Sequence, residues 1–184
     1  ECYLDNYILT EGFENGSPFL EKLFFTQLYG LNWRGFLYPQ LKARFGRLKG
    51  WIWGGVIWGA WHWPVIWLIG YEYGTDYVGF PVVGMLVFCV FTVSLGILCD
   101  WLYERDGSIW LPSICHGAIN AAATIPLAVC LTDTASARLL GPAPNGIIAG
   151  LPFLVVAIVL YLREGKEFKQ QINSAETLGV KIHY

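Results

Sequence analysis

Four apolar runs, at about 50–70, 79–103, 108–131 and 146–162, constrain this chain most, because each is near the roughly 20 residues a helix needs to cross a bilayer. Hydrocarbon offers no partner for backbone N–H and C=O groups, so such runs fold as helices packed on helices. Composition agrees: 55% of the residues are hydrophobic and 14% charged, against about 25% charged in soluble domains. The expected fold class is all-α, a polytopic transmembrane helical bundle of about four spanning helices. No linker or low-complexity run divides the chain, so residues 1–184 are expected to form a single membrane domain.

A helix is expected ahead of these spans, at about 18–41, after the turn-forming ENGSP. It carries Glu21, Lys22, Asn32 and Arg34 among aromatics, which suits a helix inside the bundle or at the membrane interface. Lys42, Arg44, Arg47 and Lys49 precede the first span, Arg105 lies between the second and third, and Arg163, Lys166 and Lys169 follow the last. The opposite loops hold one basic residue, Arg138. By the positive-inside rule the basic side is cytoplasmic, giving four crossings and a polar cytoplasmic tail over 163–184, amphipathic or frayed. His183 lies in that tail and is not expected to take part in chemistry. The chain opens on Glu1 without a basic, then apolar, leader, so no signal peptide is visible and an upstream segment is expected.

The net charge of -2 and the lack of a basic stripe exclude nucleic acid as an expected partner. The lipid bilayer is the expected surround. Five cysteines, Cys2, Cys89, Cys99, Cys115 and Cys130, show no C-x-x-C spacing and read as packing thiols, Cys115 being of interest because it adjoins His116.

Polar side chains inside apolar runs are where chemistry is expected, since hydrocarbon penalises them unless they find a partner, a wet cavity or a catalytic task. His62 lies in WGAWHWP, and His116 lies in ICHGAIN four residues before Asn120. The i, i+4 spacing puts His116 and Asn120 on one helix face, about 6 Å apart along the axis. Interhelical hydrogen bonds would also explain such a pair. A second histidine in another span strengthens the reading as hydrolysis, with His62 and His116 either binding a divalent metal such as zinc or handling protons and an oxyanion with the amide. Pro64, two residues beyond His62, would free a carbonyl beside the imidazole. Trp58, Trp61 and Trp63 would line a packed core or an apolar groove, while the outer tryptophans of the same run fit an interfacial belt.

The stretches NWRGFLYPQLKARFG, GGVIWGAWHWP and GSIWLPSICHGAIN, over about 31–123, resemble the successive motifs of the CPBP family, the CAAX protease and bacteriocin-processing intramembrane endopeptidases. Arg34 matches the arginine of the first motif, Trp58 and His62 the second, and His116 and Asn120 the third. The resemblance implies cleavage of a prenylated or precursor peptide inside a helical bundle. A glutamate and the first histidine would activate water, and the last histidine and the asparagine would hold the oxyanion, with metal participation left open.

The first motif departs from the family, because Tyr29 and Gly30 stand where its glutamate pair is expected. Tyrosine, with an ordinary pKa of about 10, is a poor base at neutral pH. Glu21 lies nine residues before Gly30, about 13 Å along a helix, and Glu11 and Glu14 lie farther still. Arg34 is then a charge in need of a new partner. A degenerate paralogue, local sequence damage around FFTQLYGLN, or a substituting acid would each account for the change. Two functions follow: an endopeptidase, or an impaired pseudoprotease binding lipidated or helical peptides as an immunity or chaperone-like protein. A transporter is disfavoured, since no internal repeat is visible.

Overall fold

Gly46 decides how the chain enters the bundle. In the computed structural model, which describes residues 31–129 and 135–177, a wide π-helical stretch, Leu31–Leu37, runs directly into helix α1, Tyr38–Phe45. Gly46 then takes φ +81° and ψ 161°, and α2, Arg47–Ile69, starts at the next residue. The connection between the helix expected at about 18–41 and the run from about 50 is thus a one-residue break, because glycine reaches a positive φ without the Cβ clash that other residues meet. α1 folds back along α2, and the Tyr38 ring lies over Gly54, where any Cβ would strike it.

α3, Val82–Asp106, is the central helix and packs against α2, α4 (Trp110–Val129) and α6 (Ile147–Thr177). Gly55 and Gly59 of α2 make the closest approach to it. A Cβ at Gly55 would meet the Val93 backbone, and one at Gly59 would meet Cys89 and Thr92. Small residues four apart let helix backbones meet in this way. Thr92 uses the proximity to donate from Oγ1 to the Gly55 carbonyl at 3.0 Å.

A short helix α5, Ala135–Leu140, precedes α6. It falls where a loop was expected. The tail is helical as far as Thr177, and α6 at 31 residues extends about 46 Å. No strand occurs among the described residues, so the all-α expectation holds. Two helices, Val82–Asp106 and the Ile147–Gln170 part of α6, are long and apolar enough to cross a membrane. α2 and α4 have 23 and 20 residues, but α2 is rich in tryptophan, whose indole is less apolar than an aliphatic chain.

The two ends of the bundle are tied differently. At one end Lys42 pairs with Asp100 (2.7 Å) and Glu104 (2.9 Å), and Arg47 pairs with Glu104 and Glu164, both at 2.5 Å. This network gathers α1, the start of α2, the end of α3 and the polar part of α6 at one end. Trp51 is fully buried and donates from Nε1 to Asp100 Oδ2 at 2.7 Å, so it belongs to the interior and not to an aromatic belt. At the other end the Tyr73 hydroxyl donates to the Asn145 carbonyl, and the Asn145 amide donates to Glu72.

Tyr29, Gly30, the acids Glu11, Glu14 and Glu21, the residues before 31 of the expected first helix, Cys2, Cys130 and His183 lie outside the described residues.

Candidate functional site

Trp58 is the centre of the site. It lies midway along α2 at 6% exposure, in a core cluster with Leu95 and Cys99 of α3, against Trp33, Cys115 and Ile119. Three of the expected site residues touch it. The Arg34 guanidinium lies 5.1 Å from the centroid of its ring. The His116 ring meets it nearly perpendicularly, centroids 5.1 Å apart. Its carbonyl, one turn before His62, lies 2.9 Å from His62 Nδ1.

That last contact fixes a tautomer. A carbonyl only accepts, so Nδ1–H of His62 is the donor, and the neutral ring keeps its lone pair on Nε2. The ring plane is held as well, with Phe88 of α3 at 4.7 Å and Tyr71, just beyond α2, stacked at 6.1 Å. Pro64 stays within a continuous α2 and removes the donor that would otherwise engage the Ala60 carbonyl.

On α4 the expected pairing is present: Asn120 Nδ2 donates to His116 Nε2 at 3.2 Å. This leaves Asn120 one amide hydrogen and its oxygen, on a side chain that is exposed among the described residues, while His116 is half-buried. The pair is therefore partly satisfied within its own helix. One N–H remains for a ligand.

Arg34 is the unresolved charge. It sits in the π-helical stretch at 4% exposure, with Tyr38 on the guanidinium at 4.8 Å as well as Trp58. Such widened turns are frequent at functional sites. Nε and Nη2 have no hydrogen-bond partner among the described residues. A buried polar group left unpaired costs about 1–3 kcal/mol, and more when charged.

The other tryptophans divide. Trp61 is 68% exposed and Trp63 37%, so they do not share Trp58's packed position. Among the described residues no three His, Cys, Asp or Glu side chains gather as a metal site. Zinc in hydrolytic sites takes three protein ligands, and His62 and His116 supply two. The described donor set does not fit a hydrolytic zinc site. Cys99 is buried, Cys89 and Cys115 are half-buried, and Cys99 Sγ points at the Pro112 carbonyl at 3.7 Å, as packing thiols do.

Sequence reasoning missed Phe88 and Tyr71, the walls of His62. Phe88 gives no signal, being one apolar residue in an apolar helix. It also passed over Asp100, which did carry one, an ionisable residue inside an apolar run.

The family model for Type II CAAX prenyl endopeptidase Rce1-like proteins matches residues 30–122, about half of the chain, and so covers Arg34, Trp58, His62, His116 and Asn120. A CAAX prenyl protease 2 of Methanococcus maripaludis is 27% identical over 122 residues, which is 64% of this chain and 45% of that protein. The chain thus spans under half the length of that curated relative. No solved structure matches. The chain belongs to the Rce1-like type II CAAX prenyl endopeptidase family.

Proposed function

We propose that this protein is a multi-pass membrane endopeptidase of the CAAX type, hydrolysing a peptide bond of a prenylated or precursor peptide at a site within the bilayer, with its tail cytoplasmic. The observation that carries the reading is the convergence on one buried residue, Trp58, of Arg34 and His116 on its ring and of His62 on its carbonyl. His62 Nε2 is the free acceptor. It takes a proton from water as the water oxygen bonds to the scissile carbonyl carbon. The remaining Asn120 N–H, oriented by His116, donates to the resulting oxyanion. Collapse of the tetrahedral intermediate breaks the C–N bond, and His62 returns the proton to the leaving amine. During this cycle the Trp58 carbonyl accepts from Nδ1–H and supports the imidazolium.

A carbonyl supports that cation less than a carboxylate would, and Tyr29 and Gly30 supply no carboxylate. Loss of a positioned acid–base group typically costs about 10²- to 10⁴-fold in rate. This favours a second reading, a pseudoprotease that binds a lipidated or helical peptide without turnover. Cleavage of a farnesylated peptide by purified protein in liposomes separates the two. Slow cleavage by the unaltered chain, lost in His62→Ala and in His116→Ala at equal amounts of folded protein, supports the endopeptidase. Binding without cleavage supports the pseudoprotease, and loss of folding in both variants assigns the histidines a structural role.

A further inference from the structure

The two unpaired atoms of Arg34 are not scattered. Nε and Nη2 share one edge of the guanidinium plane, and their N–H bonds run side by side, the fork that binds both oxygens of one carboxylate. Trp58 and Tyr38 lie against the same group, with Cζ 5.1 Å and 4.8 Å from their ring centroids. Stacking on rings serves the planar cation and leaves its in-plane donors unused. What is left unpaired among the described residues is therefore one bidentate fork, on a side chain more than nine-tenths buried, in a widened helical turn.

No described residue fills it. Asp100, whose Oδ1 is also unpaired, makes its ion pair with Lys42 and not with Arg34. Glu104 and Glu164 are taken by Lys42, Arg47 and Arg105. Four residues before Arg34 the sequence has Gly30, which cannot supply a carboxylate.

We propose that Arg34 is a carboxylate receptor for a ligand from outside the chain, and that this ligand is the free C-terminus of a bound peptide. The source of the carboxylate rests on the peptide-directed function proposed above, while the receptor rests on Arg34 alone. The site recognises the end of the peptide through two parallel N–H···O bonds. The Trp58 ring then links that end to His116, and its carbonyl holds His62. Lysine in place of Arg34 keeps the charge and loses the fork.

The test is equilibrium binding, which needs no turnover. Two dansyl-labelled farnesylated peptides of one sequence, one ending in a free carboxylate and one in a carboxamide, are titrated into the full chain in detergent micelles. The unaltered protein is expected to bind the acid at least about tenfold more tightly than the amide. Arg34→Gln is expected to bring the acid down to the affinity of the amide, and Arg34→Lys to restore only part of the difference. Equal binding of acid and amide to the unaltered protein overturns the receptor, including the case where a carboxylate of this chain or a trapped water already fills the fork, and leaves the peptide-directed function standing. Binding of neither peptide overturns both. The comparison on unaltered protein holds whether or not the Arg34 variants fold.

Discussion

The two charged regions of this bundle obey opposite rules. Where α1, α2, α3 and α6 meet, Lys42, Arg47, Glu104 and Glu164 each have an opposite charge within 2.9 Å, and buried Asp100 accepts from both Lys42 and Trp51 through Oδ2. Around Trp58, and among the described residues, Arg34 is buried without an anion, His62 keeps a free nitrogen, and Asn120 keeps a free N–H. The first region spends its charges on one another and holds helices together. The second leaves them unspent, as the proposed site would need for a ligand to make the missing bonds. Burying charge is tolerable only when it is paired, so a region that leaves it unpaired needs support from elsewhere, and the ion-paired end and the Gly55–Val93 contact are that support.

The comparison yields predictions of decreasing size. The largest concerns the site: Tyr29→Glu with Gly30→Glu should raise cleavage of a farnesylated peptide by about 10²- to 10⁴-fold, and adding His62→Ala should remove the gain. No gain from well-folded protein would break the comparison, leaving the site region as a binding surface. His62→Ala alone should leave the thermal unfolding midpoint in detergent close to that of the unaltered chain. At the paired end the pattern should reverse. Asp100→Ala strands Trp51 Nε1 and half of the Lys42 pairing, and should lower stability by about 3 kcal/mol, the low end for breaking a buried pair because Lys42 keeps Glu104. Thermal unfolding and peptide affinity measured on the same variant would show whether the two regions separate.

Gly55→Val sits between them. Its side chain meets the Val93 backbone, so it should cost about 1–3 kcal/mol and weaken peptide binding too, because α2 carries Trp58 and His62 on the same rigid rod. The smallest effect belongs to Arg163→Ala, which removes an exposed i, i+4 pair with Glu167 and should change stability by no more than about 0.5 kcal/mol.

Much of the site was readable in the chain because its signals are local. His116 and Asn120 face one another through helix periodicity alone, and His62 and Arg34 stand out as polar groups among apolar neighbours. Trp61 and Trp63 could not be separated from Trp58 in that way, since all three share one run and only packing tells them apart: Trp58 is buried against α3 and Trp61 is 68% exposed. Phe88 and Tyr71 became visible as the walls of His62 only once α3 and the turn after α2 were placed.

The sequence by itself determined that this is an all-helical chain with membrane-length apolar runs, that its histidines, asparagine and arginine are the candidates for chemistry, and that Tyr29 and Gly30 bring no carboxylate. Those are consequences of composition and of short-range periodicity, which act within a helix. Only the tertiary structure decided that Gly46 is a one-residue turn, that Trp51 and Asp100 form a buried bond, and that Trp58 joins Arg34 to both histidines. The first folds two consecutive helices back on each other, and the other two join helices distant in sequence. Which side chains meet there is set by how closely backbones approach, and hence by glycines such as Gly55, whose role is invisible until the neighbouring helix is in place.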